Sequence, residues 1–256
     1  GASNTAFGNQ ALLANTTAAN NTAVGTSALV ANTTGAANTA VGSLAADALT
    51  VGQFNTAIGH TALGADTQGS HSVAVGYGAL TLQNFTSATN TFNTAIGNNA
   101  LYANATGANN TALGYSSLGA NTTGTNNVAL GALALDGNTT SSYNIAVGYG
   151  ALTGAHTGGY TVAIGTNAGA ANTSGTNGIL VGYHAGYLNT TGSDNVVVGT
   201  EALDANTTGA SNIAIGTSAL GANTTASNNT AVGQRALFAN TTGTRNVAMG
   251  ALALDA

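Results

Sequence analysis

One period governs the chain. The glycine of the motif Asn-Thr-Ala-Val-Gly returns at Gly8, Gly25, Gly42, Gly59, Gly76, Gly97, Gly114, Gly131, Gly148, Gly165, Gly182, Gly199, Gly216, Gly233 and Gly250. Every interval is 17 residues except Gly76 to Gly97, which is 21, so a four-residue insertion falls within 81–92 of an otherwise uniform array of fifteen units. A period this short leaves each unit too small to bury a core alone. It must stack on its neighbours, and the whole of 1–256 reads as one repeat domain.

Taking Asn21 as position 1 of a unit, position 2 is β-branched in all fifteen units, from Thr5 and Thr22 to Ile213 and Val247. Position 3 is alanine in thirteen, Ala23 and Ala57 among them, and position 4 is a larger apolar residue such as Val24 or Ile58. Such a run is a short strand. The glycine at position 5 (Gly25, Gly59, Gly114, Gly165, Gly216) marks a bend or a close backbone approach. Ala-Leu at positions 8 and 9 suggests a second, shorter strand, and Asn-Thr-Thr-Gly at positions 12–15 suggests a turn. A helical repeat is disfavoured by the glycines and β-branched residues in every unit. The expected fold is therefore all-β: a parallel β-solenoid of fifteen 17-residue coils, which at about 4.8 Å per coil would make a rod of roughly 70 Å.

Side chains alternate along a strand, so positions 2 and 4 share one face and position 3 takes the other. The near-invariant small residue at position 3 suggests that something packs closely there, and positions 4 and 9 alone would give one coil a thin core. Both faces are expected to be buried, which favours a homo-oligomer, a trimer above all, over a lone solenoid. The array starts and stops inside a unit and its only methionine is Met249, which reads as a piece of a longer fibre.

Asn55-Thr56-Ala57-Ile58-Gly59, with Ala62 three residues on, resembles the head repeat of YadA-type trimeric autotransporter adhesins. Similar Asn-Thr-Ala-Val-Gly arrays occur in tail-fibre-like proteins. The resemblance implies a left-handed, homotrimeric β-roll on the cell surface or a virion, serving as the shaft or head of an extracellular adhesive fibre. Its partners would be its own copies and a host-surface or glycan receptor. A filament of copies joined end to end is the structural alternative.

Chemistry-bearing residues are scarce. Only 4% of the 256 residues are charged, 7 acids against 2 bases for a net charge of -5, where a soluble domain usually carries roughly 25%. Two arginines cannot supply a nucleic-acid footprint. The 43% hydrophobic residues are scattered, and no run approaches the roughly 20 needed to cross a bilayer, so no membrane insertion is expected in this segment. Cysteine is absent, the four histidines fall in different columns, and no nucleophile or metal motif occurs. The chain reads as non-enzymatic and without a cofactor. The acids, four of them at position 10, read as solvated.

Three kinds of residue remain as candidates. The position-12 asparagines Asn15, Asn32, Asn104, Asn121, Asn138, Asn172, Asn189, Asn206, Asn223 and Asn240 each satisfy the glycosylation pattern, and equally suit a hydrogen-bonded ladder. Tyr77, Tyr115, Tyr149 and Tyr183 share position 6 while Tyr143 and Tyr160 share position 17, offering a surface for sugars or proteins, or a stabilising stack. Phe85 and Phe92 lie in the insertion, where a protruding loop would carry recognition. Finally, the adjacent threonines at positions 13 and 14 raise an ice-binding solenoid as a rival function, against which stands their facing opposite ways in an extended segment.

Overall fold

The computed structural model describes residues 1–255; Ala256, the last residue of the expected repeat domain, lies outside them. Each repeat supplies one three-residue strand, fifteen in all, and no helix occurs among the described residues. Two compact units, Gly1–Asn127 and Val128–Ala256, are each a parallel β-solenoid. In the first, seven strands from Thr5–Phe7 to Thr111–Leu113 pair column on column, Thr22 with Thr39, Ala23 with Ala40 and Val24 with Val41. Eight strands from Val128–Leu130 to Val247–Met249 do the same in the second. The insertion leaves this register intact, since Val73 still pairs with Thr94. Its extra residues are taken up beside a local parallel pairing of Gly69–Ser70 with Thr89–Asn90.

The strand ends at position 5 for a steric reason. Gly42 has φ +136°, and a Cβ there would stand 2.5 Å from the carbonyl oxygen of Gly59 in the next coil. Beyond it the chain does not form the second strand expected at positions 8 and 9. It turns instead, with left-handed backbone at positions 7 and 9, as in Ser27 (φ 57°) and Leu29 (φ 51°). All non-glycine residues with positive φ fall in three columns, positions 7, 9 and 17. Leucine in this region costs about 1–2 kcal/mol. Full burial of its side chain contributes about 1.5–3 kcal/mol, and Leu29 N–H donates to the Ala45 carbonyl of the next coil at 3.0 Å. Burial outweighs strain, so a propensity-based strand gives way to a turn.

The core corrects the expectation for the strand faces. Position 3 points into its own coil: Ala23, Ala40 and Ala74 are fully buried within the single chain. They pack against the alanine and leucine of positions 8 and 9, leaving no alanine face for lateral association. Positions 2 and 4 point outward, so Val24 is half-buried and Ile58 exposed, and neither belongs to the interior. Core volume is kept constant by paired changes. Where position 9 is Gly169 or Gly186, position 3 of the coil between them is Leu180, whose side chain would meet a Cβ on either glycine. Where position 9 is Ala46, Leu49 fills the same coil from position 12.

Two asparagine columns close the coil. Asn21 at position 1 donates from Nδ2 to the Gly35 carbonyl (2.8 Å), and its Oδ1 accepts the Asn38 amide of the next coil (2.8 Å). At position 12, Asn206 donates from Nδ2 to Asn189 Oδ1 (2.7 Å) and to the Gly209 carbonyl (2.9 Å), closing the turn read from Asn-Thr-Thr-Gly. These ladders satisfy the polar groups that a coil with no room for water would otherwise strand.

Candidate functional site

The titratable groups are dispersed. Among the described residues no group of three histidines or carboxylates could hold a metal ion. The position-10 acids are not the solvated residues expected: Asp47, Asp136 and Asp204 are half-buried, and burial pushes their carboxyls above the usual range. Glu201 adds to the rise at Asp204. Asp66 departs further from that expectation. It occupies the asparagine slot at position 12, fully buried, and accepts from Gln83 Nε2 (2.6 Å) and the amides of Gly69 (2.9 Å) and Phe85 (3.2 Å). Arg235 stands near Asp255, at 3.4 Å on the surface.

Phe85 is thereby removed from the candidate surface. Its amide is held by Asp66 and its side chain is buried, so this aromatic of the insertion packs against the coil rather than projecting. Phe92 stays exposed, as do Tyr77, Tyr115, Tyr149, Tyr183, Tyr143 and Tyr160. Sugars bind to free ring faces, and several of these faces are already covered. Tyr143 and Tyr160 stack at 5.0 Å with planes 4° apart, and Tyr77 lies on His60 at 5.6 Å and 12°. Tyr183 stacks on His184, which also stacks on Tyr187. A further column, Phe54, His71 and Phe92 at position 17, links ring to ring at 5.0 and 5.3 Å. That column was readable from the 17-residue period. These stacks turn edges outward and stabilise neighbouring coils; Tyr115 and Tyr149 have no aromatic partner among the described residues.

The position-12 asparagines are interior. Asn32, Asn104, Asn121, Asn138, Asn172, Asn189, Asn206 and Asn223 are buried, and Asn15 and Asn240 half-buried. The Nδ2 of each donates to the carbonyl three residues on, as Asn32 to Gly35 (3.0 Å), Asn104 to Gly107 (3.0 Å) and Asn240 to Gly243 (2.9 Å). A glycan needs that nitrogen free at the surface. The folded coil offers a ladder in place of ten acceptor sites.

His156 meets the position-1 ladder instead, from one residue beyond position 12. Ala155 at position 12 is exposed and His156 turns inward, with Nε2 3.3 Å from Asn144 Oδ1. Burial lowers its pKa to about 4, partly opposed by the Asn172 backbone.

The feature that reasoning from the sequence missed is the outward strand face. In the second unit, positions 2 and 4 are apolar in all eight strands except at Thr230, and Ile145, Ile164, Ile179, Ile213 and Ile215 are 38–44% exposed. In the first unit the same position-2 column is threonine in every strand but Val73–Val75. Neither column holds a charged residue. Comparison with family models, curated proteins and solved structures returned no match, so the columns of this coil are themselves the ground for a functional reading.

Proposed function

We propose that the chain is a non-enzymatic shaft or head segment of an extracellular adhesive fibre, assembled from parallel copies of itself, with a host-surface or glycan receptor as its eventual partner. The observation that carries this reading is the outward face of the second unit. Its sixteen side chains at positions 2 and 4, half-buried or exposed, leave on the order of 800 Å² of nearly unbroken apolar surface, comparable to one side of a stable protein interface and larger than the usual patch on a monomer. Lateral association therefore belongs to the Val/Ile columns and not to the position-3 alanines. A stiff, charge-poor coil suits a spacer that must hold its length. Sedimentation equilibrium of the full chain tests this. Trimers at micromolar concentration that dissociate in the double variant Ile164→Lys/Ile213→Lys support it, whereas a monomeric wild-type chain refutes it.

A further inference from the structure

The first unit presents a different surface at the same positions. Its outward position-2 column runs Thr5, Thr22, Thr39, Thr56, Val73, Thr94 and Thr111, in one-to-one parallel register with no bulge. Two residues along each strand stand the apolar groups of Phe7, Val24, Val41, Ile58, Val75, Ile96 and Leu113. Register fixes the repeat at about 4.8 Å between strands and about 6.7 Å between the two columns. β-branching holds χ1 of the threonines in few rotamers, so their hydroxyls form an ordered array.

The threonines of the coil divide by what their hydroxyls do. At position 13, one of the two adjacent threonine columns, Thr33 donates to Thr50 O, Thr50 to Thr67 O, and Thr190 to Thr207 O, at 2.8–3.1 Å. Those hydroxyls are consumed in holding coils together. The six position-2 hydroxyls of the first unit have no hydrogen-bond partner among the described residues, yet sit half-exposed or exposed on the sheet face. Each has a donor and two lone pairs to offer to water.

We propose that this face, Thr5 to Leu113, binds ice. Liquid water satisfies an isolated hydroxyl as well as ice does, so a single threonine gives no preference. A rigid two-dimensional grid of hydroxyls and methyls does, because one placement of the grid satisfies every hydroxyl at once on a crystalline surface, and the methyls lie over water that is already ordered. Charge is matched too. Ice is neutral, a charged side chain would hold its own hydration shell against the lattice, and both columns are free of charge along seven strands. This inference rests on the first unit alone and is independent of the lateral assembly proposed for the second.

The test is thermal hysteresis and ice-crystal shaping by the full wild-type chain, with oligomer mass measured on the same samples. Wild type is expected to hold a freezing gap and facet the crystals. Thr39→Lys, in the middle of the grid, is expected to abolish the gap. Thr39→Val, which keeps the β-branched shape and removes one hydroxyl, is expected to reduce it with an unchanged circular dichroism spectrum. Thr34→Lys, exposed at position 14 away from this face, should leave it intact. No hysteresis or shaping by wild type overturns the proposal, as does hysteresis that survives both Thr39 substitutions.

Discussion

Replacing Asn206 by alanine is a direct test of how the coil is held shut. Asn206 is fully buried. Its Nδ2 donates to Asn189 Oδ1 at 2.7 Å and to the Gly209 carbonyl at 2.9 Å, and its Oδ1 accepts from Asn223 Nδ2 at 2.9 Å. The three bonds are unequal in what their loss leaves behind. Gly209 O still accepts from Asn195 Nδ2 (2.9 Å), and Asn223 Nδ2 still donates to Ala226 O (3.1 Å). Asn189 Oδ1 is left buried with no donor, at a cost of about 1–3 kcal/mol, and the two compensated bonds add about 0.5–1.5 kcal/mol each. The expected loss is about 2–6 kcal/mol, a large part of the roughly 5–15 kcal/mol that holds a domain folded. Asn32 shows the same defect in the native chain: the next position 12 is Leu49, and Asn32 Oδ1 is buried without a partner. Urea unfolding followed by circular dichroism measures the global loss. Amide exchange in the coils around Asn189 and Asn223 measures the local one, since a solenoid transmits a defect mainly to its neighbours. Asn240→Ala, at a half-buried site whose bond to Asn223 Oδ1 is 3.5 Å long, should cost about 1 kcal/mol or less. An Asn206→Ala loss below about 1 kcal/mol, with unchanged exchange, would refute the ladder as a main source of stability.

Two further outcomes follow from the same coil. Gly42→Ala adds a Cβ 2.5 Å from Gly59 O at φ +136°; strain and overpacking together should cost about 2–6 kcal/mol in chemical denaturation, and a change within about 0.5 kcal/mol would contradict the close-approach reading. His156 has a folded pKa of about 4 against an ordinary 6.5, so the unfolded chain takes up a proton that the folded chain refuses as pH falls from about 6.5 to about 4. Stability is fully present above that window and should decline by about 3 kcal/mol across it. Urea midpoints between pH 7.5 and 4.5 should show a slope that His156→Asn removes; equal slopes would place the histidine outside the core.

How much of this was legible in the residues depends on the kind of constraint. Period, strand position, the glycine bend, parallel register and the Asn-Thr-Thr-Gly turn all followed from the sequence, because each is a local rule repeated fifteen times and repetition removes the ambiguity of a single instance. The turn at positions 8 and 9, where a second strand was expected, did not follow, because Ala-Leu has no local signature of the left-handed backbone that burial imposes on Leu29. Nor did the fate of the asparagines, whose glycosylation pattern and ladder pattern are the same letters.

The alternation of side chains by itself determined that positions 2 and 4 oppose position 3. Only the tertiary structure decided which face is inside. A strand of three residues fits a sheet either way up; the choice is made by the turn at positions 5–9, which curls the chain toward the alanine side and brings Leu29 over Ala23. The same turn sends Val24 and Thr22 outward. With it the sheet's apolar columns pass from an expected core to an exposed surface, and the physical reason is steric: between turns this tight, the coil has room for an alanine and none for a valine and a threonine together.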